Sequence, residues 1–378
     1  MGKGHSGWTE DPRDALRARP DFSLEEFDRG ATPGFRGRKS DGKALGRQRG
    51  TLLSELQERL FAEGRIGGSR SVLCVVQGLD TAGKGGVTRH VMSMVDPQGV
   101  ALHSFGPPTE EELKHHFLWR IRRALPRPGL IGVFDRSHYE DVLVVRVDDL
   151  APRDVWEQRY DEINRFEKDL VDCGTVVLKF ALMVSQDEQG VRLMERLDRP
   201  DKRWKFSGND VRTRGKWNSY QEAYQAVFER TSTDWAPWYV IPADHKWYSR
   251  AAITEILTQT MIDMDLGWPQ PDWDPFDMRE ELAAEMSSRA LKASLSDTVD
   301  NVKSAIAEDA SVQREEVEVQ VEDGDVDGAS AKAEERAALA EVTAQKAQRF
   351  AELTRTRQQK ERLVEQAEAR ETLAREGR

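Results

Sequence analysis

Five short runs of apolar residues alternate with helical stretches in the central part of the chain. They cover Ser71–Gly78, Gly99–Phe105, Leu130–Phe134, Thr175–Val184 and Trp238–Pro242. Each run is continuously apolar rather than alternating between apolar and polar residues, which is typical of parallel strands buried on both faces. Strands that alternate with helices in this way predict a three-layer α/β/α domain, with one parallel sheet between two layers of helices.

Helices are predicted where apolar residues recur at intervals of three and four. Leu52, Leu56 and Leu60 follow this spacing and predict a helix over about residues 50–62. Two more helices are predicted over residues 110–124 and 155–171. Thr109 and Glu112 have the spacing of a capping box at the start of the first of these two.

The two ends of the chain differ from its centre in composition. Residues 1–49 are rich in Gly, Arg, Asp and Pro without a sustained period, so we expect a loosely ordered arm. Residues 275–330 are acidic and predict a disordered linker. Residues 331–378 favour a charged helical tail, either a coiled-coil partner or a solvated helix, since no heptad holds over several repeats. The remaining residues, 50–274, are predicted to form the folded domain.

Composition and charge exclude several classes of protein. Among 378 residues, 38% are hydrophobic and 33% are charged, with a net charge of −11. A DNA-binding protein would usually be basic, so we expect no DNA partner. Residues 301–328 alone carry nine acidic and two basic residues, so much of the negative charge belongs to the tail. The overall charge therefore hides local basic clusters in the middle of the chain.

The apolar runs and the cysteines indicate where in the cell the protein is expected. The longest apolar stretches are too short to span a bilayer, and the polar N-terminus lacks the apolar segment of a secretory signal. We therefore expect neither a membrane partner nor secretion. Cys74 and Cys173 are the two cysteines and form no CxxC motif. Two buried, reduced thiols in a cytoplasmic protein are the expected arrangement.

The segment Gly78–Gly85, Gly-Leu-Asp-Thr-Ala-Gly-Lys-Gly, follows the first predicted strand and satisfies most of the P-loop pattern. Glycines let backbone N–H groups turn inward around phosphate oxygens, and the following helix presents its positive N-terminus to the anion. A glycine-rich turn without a ligand is the alternative, but strand, lysine and helix occur together here. We predict that Lys84 is catalytic and that phosphate is bound by Gly78, Ala82, Gly83 and Gly85.

Two departures from the usual P-loop point to a metal ion. The Ser or Thr that normally follows the lysine and binds magnesium is replaced by Gly85. Asp80 lies inside the loop, where a carboxylate would repel phosphate. Both departures are explained if Asp80 helps to hold Mg²⁺, which bridges the carboxylate to the phosphates. We expect Mg²⁺ as the cofactor, with Mn²⁺ as a possible substitute.

The strand at Leu130–Phe134 ends in a second motif, Asp-Arg-Ser-His-Tyr-Glu-Asp. Hydrophobic residues followed by an aspartate form the Walker B arrangement, which predicts that Asp135 faces a metal ion at the edge of the sheet. Arg136 can neutralise charge that develops on a transferred phosphoryl group. Glu140 either binds metal or orients the acceptor, or together with Asp141 it is an ordinary acid at a helix start.

A basic stretch follows the fourth predicted strand. Its cations within fourteen residues are Arg192, Arg196, Arg199, Lys202, Arg203 and Lys205. P-loop kinases commonly place a mobile lid after this strand, and a lid rich in Arg and Lys would close over a polyanion and exclude water. We predict a helical lid over about residues 186–216; a solvated, salt-bridged helix is the alternative.

These three motifs, together with Phe105–Thr109 and Trp235–Asp244, resemble the polyphosphate kinase 2 family over roughly residues 50 to 268. The resemblance implies a P-loop kinase fold with a helical lid, to which the charged C-terminal extension does not belong. It also implies Mg²⁺-dependent phosphoryl transfer between inorganic polyphosphate and a nucleotide, in a homo-oligomer.

Residue by residue, the resemblance implies that Asp80 and Asp135 hold metal, while Lys84 and Arg136 stabilise the transferred phosphoryl group. It also implies lid contacts to substrate phosphates from Arg196, Lys202, Arg203 and Lys205.

The segment Ser137–Val147 is most similar to the branch of the family that phosphorylates both AMP and ADP. Other branches carry a glutamate where this chain has Val145, so Glu140 or Asp141 would take its role. Where this branch usually has His-Asp, the chain has His115-His116. The loss of that carboxylate bears on the choice of acceptor.

Two other functions share these motifs. An ordinary ATP-dependent kinase of a small metabolite or nucleotide would have the same P-loop, Asp135 and lid, but Gly85 and the density of cations in the lid argue against it. A non-catalytic sensor of phosphate ligands that signals through the tail is the third hypothesis. Retention of Asp80, Lys84 and Arg136 together argues against lost chemistry.

Overall fold

The computed structural model describes residues 7–298, 300 and 329–376, with the side chains of 329–347 and 349 left out of the description. The chain divides into two compact units, Met1–Pro269 and Gln270–Arg378. Residues 50–269 of the α/β domain predicted over 50–274 lie in the first unit. In the described part of the chain, no helix is both long and apolar enough to cross a membrane.

The first unit is built around a parallel sheet. In chain order the strands are β1 (Gly7–Trp8), β2 (Phe35–Arg36), β3 (Ser71–Gln77), β4 (Val100–Ser104), β5 (Ile131–Asp135), β6 (Thr175–Met183) and β7 (Trp238–Pro242). Strands β3 to β7 form one sheet in the spatial order β4-β5-β3-β6-β7, and every neighbouring pair in it is parallel. Strands β1 and β2 form a separate antiparallel pair. The five predicted strands are confirmed.

Within residues 7–269, ten α-helices surround or connect these strands. They are α1 (Pro12–Ala15), α2 (Lys39–Arg65), α3 (Lys84–Met92), α4 (Leu118–Ala124), α5 (Val144–Val147), α6 (Arg153–Asp172), α7 (Gln186–Asp198), α8 (Gly208–Gly215), α9 (Trp217–Thr231) and α10 (Lys246–Asp263). The second unit contains α11 (Pro275–Ala284), α12 (residues 288–298) and α13 (Ala329–Glu376).

Side chains of the central strand β3 alternate between two hydrophobic cores. Val72, Cys74 and Val76 pack with apolar residues of α2, α3 and α10 on one face of the sheet. Leu73 and Val75 pack with residues of α4, α6 and α9 on the other face. Alternation is the geometric consequence of a strand's two-residue period. The predicted three-layer α/β/α architecture is therefore confirmed.

The N-terminal segment differs from the expected loose arm. Leu16 and Leu24 are buried, and residues 17–18 lie along the exposed edge of β7. The amide of Ala18 donates to the carbonyl of Trp238 over 2.8 Å, and the amide of Val240 donates to the carbonyl of Leu16 over 2.8 Å. The segment covers the edge of the sheet, which removes unpaired backbone groups. Its few apolar residues show no period because each contacts the core separately.

Helix α2 begins at Lys39, well before the predicted start near Gly50. Gly42, Gly46 and Gly50 hide the first turns, because glycine has a low helix propensity. Tertiary packing explains two of these glycines. A Cβ atom at Gly42 would lie 2.5 Å from the Trp247 ring, and one at Gly50 would lie 2.6 Å from the sulfur of Met94.

The helix predicted over 110–124 is broken into two pieces. The capping box forms, since the amide of Thr109 donates to the Glu112 carboxylate at 2.7 Å and the amide of Glu112 donates to Thr109 Oγ1 at 3.2 Å. It caps only a 3₁₀ turn, Glu112–Lys114, and α4 begins at Leu118. The prediction over 155–171 is confirmed by α6.

The tail predictions fall on the second unit. Residues 275–284 and 288–298 are helical, although we expected a disordered linker over 275–330. Their apolar residues Ala283 and Leu291 pack with Leu363, Val364 and Ala367 of α13, a contact between residues far apart in sequence. The rest of that predicted linker, residues 301–328, lies outside the described residues. The predicted tail helix over 331–378 corresponds to α13, except for 377–378, which are not described.

Both cysteines are free, but only one is buried. Burial raises the pKa of the Cys74 thiol in β3 to about 12. Cys173 follows α6 and is exposed, which differs from the expectation of two buried thiols.

Candidate active site

The P-loop connects β3 to α3 and has the backbone conformation that its glycines allow. Gly78 has φ 153° and Gly83 has φ 116°, both in the region that favours glycine. A Cβ atom at Gly78 would lie 2.7 Å from the carbonyl oxygen of Leu182 in β6. Thr81 also has a positive φ, 68°. The loop therefore turns tightly against the sheet, and α3 starts at Lys84.

Lys84 lies inside the loop that precedes it. Its side chain is 9% exposed, and its Nζ donates to the carbonyl of Gly78 at 2.6 Å. Burial lowers the pKa of the ammonium group, while Asp80 acts in the opposite direction. The lysine is thus a buried cation at the start of a helix, where helix dipole and side-chain charge add.

Asp135 and Arg136 lie beside the P-loop because β5 pairs with β3. The register places Asp135 opposite Val76, and the amide of Arg136 donates to the carbonyl of Val76 at 3.1 Å. Arg136 has φ 64°, a left-handed conformation that is rare for a residue with a side chain. Such conformations cluster at functional sites.

The guanidinium of Arg136 forms an ion pair with Asp80, with Nη2 3.3 Å from Oδ1. Burial acts to lower the pKa of Arg136, but the carboxylates of Glu140, Asp80 and Asp135 outweigh it and raise the pKa. The arginine is therefore held as a cation between three carboxylates.

Two cavities meet at these residues. The larger has a volume of 960 Å³ and the smaller 350 Å³. Both are lined by Asp80, Lys84, Phe105, Arg136 and Asn209. The P-loop lysine and the Walker B arginine therefore form the boundary between two compartments.

The larger compartment, called here the basic cavity, is strongly electropositive. Four acidic residues line it: Asp80, Asp135, Glu195 and Asp210. Nine cationic residues line it: Lys84, Arg89, Arg136, Arg192, Arg196, Lys202, Lys205, Lys246 and Arg250. A cleft with this excess of positive charge attracts and concentrates anions although the whole chain is acidic.

The smaller compartment, called here the mixed cavity, combines apolar walls with charged residues of both signs. Pro107 and Val145 are among its apolar lining residues, and Tyr220 and Tyr224 contribute aromatic rings. Glu140 also lines this cavity, and burial raises the pKa of its carboxyl group. Apolar walls with a few placed polar groups are typical of sites for small organic ligands.

The predicted lid consists of α7, a 3₁₀ turn over Arg203–Lys205, and α8. Arg196, Lys202 and Lys205 line the basic cavity as predicted. Arg203 is not among the lining residues, and its Nε donates to the carbonyl of Leu197 at 2.8 Å. Trp204 takes part in the lining instead and is 78% exposed.

The loop residues predicted to bind phosphate do not all line the same cavity. Gly83 and Gly85 line the basic cavity, and Gly78 lines the mixed cavity. Ala82 lines neither, since its side chain is 2% exposed and its amide donates to the carbonyl of Leu79 at 3.1 Å. The P-loop pattern alone does not show which amides are used inside the loop.

Arg192 is a site residue that the sequence left undistinguished within the basic stretch. It is 5% exposed and donates from Nη1 to the carbonyls of Thr81 at 3.0 Å and Ala82 at 3.2 Å. From Nη2 it donates to the carbonyls of Ala243 at 2.7 Å and Asp244 at 2.9 Å. The lid helix α7 is therefore joined to the P-loop and to the end of β7.

Arg89, Lys246 and Arg250 were also missed. Arg89 is on α3, whereas Lys246 and Arg250 are on α10, far from the recognised motifs in sequence. Only the packing of α10 beside α3 brings them to the basic cavity. Isolated cations on a helix carry no local signal for such a role.

The carboxylates predicted to bind metal are distributed over the two cavities. Asp80 and Asp135 both line the basic cavity, and a Cβ at Gly85 would be 4.0 Å from Asp135 Oδ2. The Ser or Thr position of other P-loops thus faces Asp135. Among residues 7–298, 300 and 329–376, no group of three or more His, Cys, Asp or Glu is arranged to hold a metal ion. Glu140 lines the mixed cavity, as Asp80 also does.

Beneath the Walker B segment lies a buried polar network. Glu167 and Lys179 are fully buried, and Lys179 Nζ lies 2.5 Å from Glu167 Oε2. Glu167 Oε1 accepts from the hydroxyl of Tyr139 at 2.8 Å and lies 3.2 Å from His138 Nε2. His138 is thus a buried hydrogen-bonding residue, and the network anchors the turn that carries Glu140.

The fold and the two cavities define a P-loop protein whose site handles phosphate groups. Comparison with known proteins is more specific: residues 37–267 match the family model described as polyphosphate kinase 2. The chain belongs to the polyphosphate kinase 2 family.

Three relatives illustrate the similarity. The AMP/ADP-polyphosphate phosphotransferase of Meiothermus ruber is 47% identical over 258 residues, which cover 68% of this chain and 95% of the relative. The ADP-polyphosphate phosphotransferase of Rhodopseudomonas palustris is 41% identical over 58% of this chain and 78% of the relative. The crystal structure of polyphosphate kinase 2 from Arthrobacter aurescens is 46% identical with a TM-score of 0.72, covering 74% of this chain and 98% of that one.

Proposed function

We propose that this protein transfers a phosphoryl group between inorganic polyphosphate and AMP or ADP. The observation that carries the proposal is the meeting of a strongly basic cavity and a mixed cavity at Asp80, Lys84 and Arg136. Polyphosphate has charge on every unit and no apolar part, so it fits the basic cavity. A nucleotide has an apolar base and a charged end, so it fits the mixed cavity with its phosphate toward the boundary.

The residues at the boundary act by position and charge. Phosphoryl transfer needs little covalent help from the protein and depends on alignment and on neutralising charge. Lys84 and Arg136 line both cavities, so each can contact the phosphoryl group on either side of the transfer. Arg196, Lys202 and Lys205 hold the remaining polyphosphate from the lid side. Closure of the lid would exclude water and favour transfer over hydrolysis.

Mg²⁺ is the proposed cofactor, held by Asp80 and Asp135. Magnesium usually takes only one or two protein carboxylates together with substrate phosphates and water, so a pair of aspartates fits it without a third ligand. When bound, the ion would neutralise charge on the phosphates. Mn²⁺ accepts the same oxygen ligands and is expected to substitute. Glu140 instead acts from the mixed cavity, on the acceptor side.

The acceptor is proposed to be AMP as well as ADP. The first relative described above carries both acceptors in its name, and its similarity extends over almost its whole length. Val145 lines the mixed cavity together with Glu140 and Asp141, either of which can take the role that a glutamate at position 145 has in other branches. We further propose, from the family resemblance, that the enzyme is a homo-oligomer. Its free thiols support a location in the cytoplasm.

A donor and acceptor assay tests the proposal. Purified protein, Mg²⁺ and long-chain polyphosphate are incubated separately with AMP, ADP and GDP, and the products are separated by chromatography. We expect ADP and ATP to form and to be lost in Lys84→Ala. Lys168→Ala, which removes an exposed lysine of α6, is the matched control and should keep full activity. Product from ATP but never from polyphosphate would replace the proposal with an ATP-dependent kinase.

A further inference from the structure

Helix α2 carries a row of cations outside the site described above. Lys39, Lys43 and Arg47 are four residues apart, a spacing that places them along one face of the helix. All three are exposed, and none of them forms an ion pair within the described part of the chain. The row spans about 12 Å at a helical rise of 1.5 Å per residue.

These cations line a separate cavity of 770 Å³, called here the α2 groove. The groove and the basic cavity share His90, Lys246 and Arg250 as lining residues, so they adjoin along α10 and α3. The groove thus continues the positive surface of the basic cavity away from the P-loop.

The acidic residues of the α2 groove are engaged in hydrogen bonds of the fold. Glu188 Oε1 accepts from Arg192 Nε at 2.7 Å, and Asp244 Oδ1 accepts from the amide of Ser185 at 2.7 Å. In the described part of the chain, neither carboxylate forms an ion pair with the α2 row. Burial lowers the pKa of His90 in the shared wall, and the charges of Arg250 and Lys43 lower it further. Cations of α10 and α2 therefore act on the same imidazole, that of His90.

The α2 row and the cations of α10, Lys246 and Arg250, are held at a fixed separation. Gly42 brings α2 so close to α10 that a Cβ atom would lie 2.5 Å from the Trp247 ring. Arg49 Nε also lies 2.9 Å from Glu255 Oε2, whose side chain is 3% exposed. A rigid pair of charged helices loses little entropy when an anion binds.

We propose that the α2 groove is a distal subsite for the polyphosphate chain, beyond the part held in the basic cavity. The proposal rests on the proposed function. An extended polyanion with charge at every unit can contact Lys246 and Arg250 and then the α2 row in one continuous path. A mononucleotide in the basic cavity is too short to do so. The subsite therefore gives preference to long chains.

The test compares donors of two lengths in the full-length protein. The variant Lys43→Ala/Arg47→Ala is assayed with long-chain polyphosphate and with tripolyphosphate. We expect KM for the long donor to rise about tenfold, as for two lost phosphate contacts, with kcat unchanged. KM for tripolyphosphate should stay the same. The rise should shrink at high salt, because exposed charges are screened.

Arg65→Ala/Lys168→Ala is the matched control, since it also removes two exposed cations but neither lines a cavity described above. It should leave both KM values unchanged. Equal KM values for wild type and the α2 variant with the long donor would overturn the distal subsite and leave the proposed function standing. An equal rise with both donors would also overturn it.

Failure of the proposed function itself has a different signature. If the wild type transfers nothing from polyphosphate, binding of fluorescently labelled long-chain polyphosphate is measured instead by anisotropy. Weaker binding by Lys43→Ala/Arg47→Ala than by the control variant would still support the groove as a polyanion site. Equal binding by the two variants would overturn it.

Discussion

Arg136 and Asp80 form an ion pair across the boundary of the two cavities, with Arg136 Nη2 3.3 Å from Asp80 Oδ1. The arginine comes from the end of β5 and the aspartate from the P-loop, so the pair joins the two phosphate motifs. The same carboxylate is therefore shared between a cation of the protein and the magnesium ion that we propose. Removing the charge of Asp80 would therefore affect both the ion pair with Arg136 and the binding of magnesium.

Asp80→Asn should lower kcat by about 10²-fold, which is typical for loss of one preorganised charged group at a reacting centre. The asparagine keeps the size of the side chain but binds metal more weakly, so the Mg²⁺ concentration for half-maximal rate should rise. Steady-state rates over a magnesium titration measure both effects. Asp172→Asn, on the exposed face of α6, is the control. Full activity with an unchanged magnesium dependence would exclude Asp80 as a metal ligand.

Arg192→Met should disorder the P-loop without removing a group that contacts the reacting phosphoryl. The change leaves four carbonyls, those of Thr81, Ala82, Ala243 and Asp244, without their buried donor. We expect a loss of about 2–3 kcal/mol in the free energy of unfolding, from hydrogen bonds to a charged group. KM for polyphosphate should rise as well.

Urea unfolding and steady-state kinetics check the Arg192 prediction. Arg212→Met, on the exposed side of α8, is the control because the hydrogen bond of its side chain goes to Asn209 in its own helix. Stability equal to wild type would show that the clamp between α7 and the P-loop is dispensable.

Lys179→Met should be strongly destabilising. Lys179 and Glu167 are both fully buried, so the substitution leaves the Glu167 carboxylate in the core without its cation. Breaking one side of a buried pair typically costs about 3–5 kcal/mol. Urea unfolding measures the loss, and Lys168→Met on the surface of α6 should change stability by less than about 0.5 kcal/mol. A similar small effect for both variants would contradict the prediction.

Acid should remove the contribution of Glu167. Burial by itself would raise its pKa, but Lys179 and His138 outweigh burial, and the pKa lies below the ordinary value of 4.5. The native state then binds fewer protons than the unfolded state below that pH. The stabilisation is complete above pH 4.5 and is lost as the pH falls through the native pKa.

The acid effect is measured as the difference in free energy of unfolding between wild type and Glu167→Gln. The difference should be largest near neutral pH and should shrink on acidification below pH 4.5. A difference that grows on acidification would show that the carboxyl group is protonated in the native state.

A chain that ends at Pro269 should keep its activity. All residues of the two cavities lie in the unit Met1–Pro269, and the matched family segment ends at residue 267. We expect kcat within about twofold of the full chain, a difference below 0.5 kcal/mol in barrier height. Loss of turnover by a folded truncated protein, with native circular dichroism, would show that residues 270–378 take part in function.

Local sequence patterns determined the strands and the two phosphate motifs. Strands β3, β5, β6 and β7 are mainly apolar runs because they are largely buried on both faces. The edge strand β4 was recognised as well, although its last three residues are exposed. Gly78, Lys84 and Asp135 are recognisable because the backbone of a phosphate loop and the edge of a parallel sheet require certain residue types at fixed spacing. Such signals depend on neighbours in the chain, so they can be recognised without tertiary contacts.

Tertiary structure alone decided which charged side chains share a cavity. Arg250 of α10 lines the basic cavity although nothing near it in sequence marks it, whereas Arg203 of the basic stretch is turned to a carbonyl of α7. The early start of α2 at Lys39 was hidden by glycines, two of which lie against distant side chains: Gly42 against Trp247 and Gly50 against Met94. The direction of a cation and the tolerance of a glycine depend on packing between residues far apart in the chain, and sequence spacing does not encode that geometry.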